Sequence, residues 1–186
     1  MSNRYISGTT INDVMKFKLL GIIITNDFKW NDHVEFIYKK ACQRLYHLRQ
    51  LKRAKLSNSD LIQVYQSLVR SVVEYACPVW HPGLTVDQAK LLETIQSRAL
   101  KIIFPEDRYD DALQKSHLQT LENRREELCQ SFLKKISNPS DKLNYLLQVR
   151  NQRNLRTKSH SQYFIPKFKT ECFRKTFLPY YILSNS

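Results

Sequence analysis

Three places in this chain gather residue types that could do chemistry. Cys77 and His81 stand four apart, a spacing compatible with a metal. Two further ligands at suitable distances are missing, however, and Pro78 and Pro82 punctuate the stretch, so structural packing is the better reading. Asp32, His33 and Glu35 offer an acid, an imidazole and a second acid with no nucleophile beside them. His33 reads instead as a helix-start residue packing near Trp30. The third group is cationic. Lys39, Lys40, Arg49 and Arg53 lie off the apolar stripe of one predicted helix, and Lys90 and Lys101 share a face of another with Thr94 and Ser97. Near the C-terminus, Arg153, Arg156, Lys158, Lys167 and Lys169 alternate with aromatic residues, a combination that lets cations pair with phosphates while bases stack on rings. The bland alternatives are a solvated helix face and an arm whose aromatics dock on the body of the protein.

Bulk charge favours the cationic reading. The 186 residues carry a formal net charge of +13, with an isoelectric point near 9.7. So cationic a surface repels itself unless it meets an anion, and nucleic acid is the expected one, as RNA or DNA. No stretch reaches the roughly 18 apolar residues that span a bilayer, and no signal-peptide core opens the chain, so we expect an intracellular protein, nuclear or cytoplasmic, with no membrane partner. Four cysteines stand tens of residues apart without a CxxC pair, which argues against a compact zinc site and a disulfide framework. Only three glycines occur, which favours helices and excludes a phosphate-cradling loop. No cofactor is expected.

The elements that must position these residues follow from periodicity. Arg4–Ile6 and Thr9–Ile11 around Ser7-Gly8 predict a hairpin, and Phe17 to Thr25 a β-branched strand. Val34, Ile37, Ala41, Leu45 and Leu48 then give one stripe on a helix from Asn31 to Arg53, with Asn31 as N-cap. A second helix is expected from Ser57 to Ala76, capped by Ser57, burying Leu61, Val64, Tyr65, Leu68, Val72 and Ala76 and ended by Pro78. Thr85 and Gln88 form a capping box for a third, which buries Leu91, Leu92, Ile95, Ala99, Ile102 and Ile103 before Pro105. A shorter piece follows at Asp110–Ser116, and Thr120 caps a helix with Leu121, Leu128, Phe132 and Ile136 inward. From Arg150 the last 37 residues hold eight Lys and Arg against the single acid Glu171, a net +7.

Several strings resemble non-LTR (LINE-type) retrotransposon reverse transcriptases. Lys18-Leu19-Leu20-Gly21-Ile22 with Asp27, Phe28, Trp30 and His33 is similar to the segment that ends the palm of that family. Lys39-Lys40-Ala41 with Leu45 and Leu48, then Tyr65–Ser71 and Glu74–Trp80, look like its thumb, Leu92-Glu93, Ile95-Gln96 and Arg98–Ile103 are similar to a further string of that family, and Thr170 with Phe173 and Thr176–Pro179 to its tail. The resemblance implies a mainly α fold, a helical thumb-like bundle over residues 31–149. Residues 1–30 would be a short β hairpin and strand remnant of the palm, and residues 150–186 a basic aromatic arm. It implies that Leu20 and Gly21 form the primer grip, and that the chain positions a primer–template duplex or single strand against the palm and fingers of an intact polymerase. It also implies that the isolated chain is no enzyme. The carboxylates that hold Mg²⁺ in the intact polymerase would precede residue 1, and Tyr109-Asp110-Asp111 lacks the intervening residue of the polymerase hairpin and sits where acids face a helix dipole. Two alternatives from other classes are a standalone basic nucleic-acid-binding module and a non-functional retroelement relic.

Overall fold

The computed structural model describes residues 4–6, 9–11, 14–147, 163–164 and 169–184. It is mainly α-helical with short antiparallel hairpins at the N-terminal end, as the sequence predicts. Strands β1 (Arg4–Ile6) and β2 (Thr9–Ile11) pair with Tyr5 opposite Thr10. The stretch read as one strand from Phe17 to Thr25 is instead a second hairpin, β3 (Lys16–Leu19) and β4 (Ile22–Thr25), with Leu19 opposite Ile22. Its two-residue turn needs positive φ at both central positions, and Leu20 adopts 47° and Gly21 86°.

Helix α1 (Asn31–Arg53) buries His33, Val34, Ile37, Ala41, Leu45 and Leu48. Asn31 does not cap it. Trp30 holds the cap position without a side-chain bond, and the Asn31 Oδ1 accepts from Gln88 Nε2 at 2.7 Å. The helix expected from Ser57 to Ala76 is broken into α2 (Asn58–Val64), a π-helical turn (Tyr65–Arg70) and α3 (Ser71–Glu74). Ser57 does cap α2, accepting from the Asp60 amide at 3.2 Å. The wider turn shifts the stripe by one residue, so Val69 and Val73 are buried beside Leu61, Tyr65 and Val72, while Leu68 is only half-buried. Side chains supply the hydrogen bonds that this turn loosens. Arg44 Nη1 donates to the Leu68 carbonyl at 2.5 Å, Ser71 Oγ to Ser67 O at 2.6 Å and Ser67 Oγ to Gln63 O at 2.9 Å.

Pro78 does not end the helix as expected. Ala76 turns the chain through the left-handed region at φ 50°, and Pro78 sits in the first turn of α4 (Cys77–Trp80), where its missing N–H costs nothing. A 3₁₀ turn (His81–Gly83) leads to α5 (Val86–Ile103), whose Thr85–Gln88 capping box is complete. On α5, Leu92, Ile95, Ala99, Leu100 and Ile103 are buried, whereas Leu91 is exposed and Ile102 half-buried. Then come α6 (Tyr109–Ser116) and α7 (Leu121–Ile136, capped by Thr120), followed by the short α8 (Glu171–Arg174) and α9 (Phe177–Ser184).

One core joins these helices, from Val34 on α1 through Tyr65, Trp80 and Ile95 to Cys129 on α7 and Tyr181 on α9. Phe177 lies between Phe132 and Tyr181, with ring centroids 5.2 and 5.1 Å away. A buried polar network ties α5, α6 and α7 together. Tyr65 donates to Gln96 Oε1 at 2.7 Å, Gln96 Nε2 donates to the Gln119 carbonyl at 2.8 Å, and Glu93 accepts from Tyr109 and from the Leu121 amide. The Tyr109-Asp110-Asp111 stretch is accordingly structural: its tyrosine is spent on Glu93 and its two acids occupy the first turn of α6.

Candidate nucleic-acid interface

The longest helices, α1 and α5, lie side by side and run the same way. Asn31 meets Gln88 where they begin, and Lys52 Nζ donates to the Ile103 carbonyl at 2.8 Å where they end. Their apolar stripes face the core, so the remaining flanks must carry the polar residues. On α1, Lys39, Lys40, Arg49 and Arg53 are exposed, and on α5, Lys90, Arg98 and Lys101. Lys39 is held by Glu35 one turn earlier at 2.5 Å. Among the described residues the other six have no acidic partner within ion-pair distance. Lys90 and Lys101 are eleven residues apart, about 16 Å along the helix, a span that can follow successive phosphates.

Three cations are held over two aromatic rings on opposite flanks of α1. Lys18 of β3 sits 4.5 Å from the Phe36 ring centre, with Lys40 at 6.0 Å from the same ring. Arg98 lies 5.7 Å over Tyr38, and its Nη1 reaches Cys42 Sγ at 3.7 Å. Neither Lys18 nor Arg98 is singled out as a contact by the sequence reading. Both become visible only when β3 or α5 is laid against α1, because no spacing along one helix brings Arg98 to Tyr38.

Leu20 and Gly21 stand at the tip of the β3–β4 hairpin. The Leu20 side chain is 81% exposed, and its carbonyl accepts from Tyr75 Oη at 2.9 Å. A Cβ on Gly21 would meet the Tyr75 ring at 3.4 Å, so one side of the turn is taken by this chain itself. Lys169 is exposed, just before the Thr170 cap of α8. Arg153, Arg156, Lys158 and Lys167 lie outside the described residues.

The remaining polar groups are internal. His33 is buried between Trp30 and Trp80, accepts from the Ile23 amide through Nδ1 at 3.3 Å, and is pushed down to about 4 by burial. Gly83 makes room for this cluster, since a Cβ there would stand 2.4 Å from Trp30 Nε1. Burial and the adjacent Arg125 guanidinium likewise lower His81 to about 4. Arg125 itself is fully buried, 5.9 Å over the Trp80 ring, and donates through Nε to His81 Nδ1 at 3.3 Å. Cys77 is buried beside Cys129. Among the described residues no group of three or more His, Cys, Asp and Glu could hold a metal, and no helix is long and apolar enough to cross a membrane.

Residues 30–71 match the family model described as Alkylated DNA repair protein alkB homolog 8, N-terminal. The match takes in α1, α2 and the π-helical turn, under a quarter of the chain. Neither a curated protein nor a solved structure matches the chain. The family match overturns the resemblance to reverse transcriptases. It covers Trp30, His33 and Tyr65–Ser71, which carry part of that resemblance, and over them the chain is similar to a different family. With it falls the retroelement origin, and the primer-grip role of Leu20 and Gly21 and the palm label of residues 1–30 lose the resemblance they were drawn from. Over residues 30–71 the chain is similar to the N-terminal domain of an alkB homolog named for alkylated-DNA repair.

Proposed function

We propose that this helical domain binds nucleic acid through its phosphate backbone, using the exposed flanks of α1 and α5. The observation that carries the reading is the set of cations without acidic partners, Lys90, Arg98 and Lys101 on α5 with Arg49 and Arg53 on α1, held on two helices packed in parallel. Exposed cations repel one another by their like charge, and an anion offsets that cost. The net charge of +13 supports it, as does the family matched over residues 30–71, whose printed name concerns repair of alkylated DNA. Phosphate contacts of this kind give affinity with little sequence information. The tail cations Arg153, Arg156 and Lys158 add electrostatic attraction, and Lys40 with Lys18 at Phe36 a further phosphate contact. The role is binding rather than catalysis, with no cofactor.

Fluorescence anisotropy with a short oligonucleotide over a series of salt concentrations tests this. For single strands, log K falls with log salt by about 0.7 per phosphate neutralised. Changing Lys90, Arg98 and Lys101 together to Gln should flatten that slope by about 2 and weaken binding at low salt by at least tenfold, with the melting temperature unchanged. An unchanged slope would show that these cations form only a solvated face. Changing Arg153, Arg156 and Lys158 to Gln measures the tail's share. Deleting the tail would not, because Phe177 and Tyr181 belong to the core.

A further inference from the structure

Resting on the phosphate-binding reading, we propose that Arg98 and Tyr38 form a stacking subsite for one unpaired nucleobase of a bound single strand. A guanidinium is planar. The Arg98 guanidinium carbon lies over the Tyr38 ring, 5.7 Å from its centre, and Nη1 stands 3.7 Å from Cys42 Sγ. These two contacts tether an exposed side chain that has no acid within ion-pair distance among the described residues. The side chain is otherwise exposed. An Arg plane presented this way accepts the face of a base, while a cation such as Lys101, one turn further on, suits the adjoining phosphate.

The other cation–aromatic cluster makes the contrast. Lys18 and Lys40 over Phe36 are ammonium groups without a plane, and they offer charge alone. The nearby Thr94 Oγ1 spends its proton on the Leu91 carbonyl of its own helix at 2.7 Å. The subsite therefore takes any base by its face. It requires a single strand, because base faces are hidden in a duplex.

The test compares two strands of ten units and equal charge, oligouridylate and its abasic ribose-phosphate counterpart, binding to the full chain. The native protein should prefer the base-bearing strand by about five- to fiftyfold, with equal salt slopes for the two. Arg98→Lys keeps the charge and loses the plane, so it should cut that preference at least fivefold while leaving the slope unchanged. Tyr38→Leu should do the same, and a retained melting temperature certifies the fold of each. An undiminished preference in both variants, or equal binding of the two strands by the native protein, overturns the subsite while leaving phosphate binding in place. Failure of the native protein to bind either strand at low salt overturns the phosphate-binding reading, and the subsite with it.

Discussion

Helix α1 and the stretch from Asn58 to Glu74 pack against each other and carry apolar residues at similar spacing, yet only α1 is a regular helix. In α1 the stripe of Val34, Ile37, Ala41, Leu45 and Leu48 runs unbroken to Arg53. In the second stretch the π-helical turn inserts one extra residue into the winding, and the inward position passes from Leu68 to Val69. Tertiary contact selects the wider turn. Within this turn Arg44 from α1 donates to Leu68 O, so the two helices are tied at that point. A period read along one segment fixes which side is apolar, but a single widened turn rotates everything beyond it.

The largest test of this contrast is a trio of truncations. Leu45→Ala, in the regular helix, should cost about 2–5 kcal/mol, and Val69→Ala about 1–3 kcal/mol. Leu68→Ala should cost less than about 1 kcal/mol, because its side chain is only half-buried. Urea midpoints with constant slope measure all three. A costlier Leu68→Ala than Val69→Ala would restore the uninterrupted α-helical phase.

The regular helix has a compositional oddity in its place, the imidazole of His33 on its buried face. An unfolded chain protonates this residue near pH 6.5, whereas burial holds the folded one at about 4. The unfolded state thus binds more protons between these values. Stability is complete above pH 6.5 and falls as pH drops toward 4, by up to about 3 kcal/mol from His33. His81, lowered to about 4 as well, adds to the fall in the same window. Urea midpoints at pH 7.5 and 4.5 should differ more in the native protein than in His33→Gln. Equal differences would place the pH dependence elsewhere.

The smallest effect sharpens the comparison most. Arg44→Gln removes the donor to Leu68 O from a partly exposed site and should cost about 1 kcal/mol. Amide exchange from Val69 to Val73 should quicken while that of α1 stays as it was. Faster exchange spread over both helices would mean that Arg44 holds the pair together rather than the turn.

Much of the fold was legible because its signals are local. The boundaries of α1, the Thr85–Gln88 capping box and the Ser57 and Thr120 caps match the expectation, since each depends on residues within a turn of one another. Phe17–Thr25 is two strands rather than one because a turn at Leu20-Gly21 puts a bulky residue at positive φ, which β-branched spacing does not announce. Asn31 has the chemistry of a cap, but Gln88 of a helix far along the chain claims its oxygen. The family reading failed for a related reason. Short strings shared across families carry helix-packing constraints as well as function, and those over residues 30–71 match a different family.

By itself the sequence determined a mainly helical, strongly basic chain, because apolar period, caps and charge are summed over neighbouring residues. Only the tertiary structure decided which cations are neutralised and which are aimed. Lys39 is tied to Glu35 on its own helix, whereas Arg98 gains its orientation from Tyr38 and Cys42, more than fifty residues earlier in the chain. Packing α1 beside α5 supplies that contact, and a guanidinium becomes a defined plane only when such a neighbour limits its rotation.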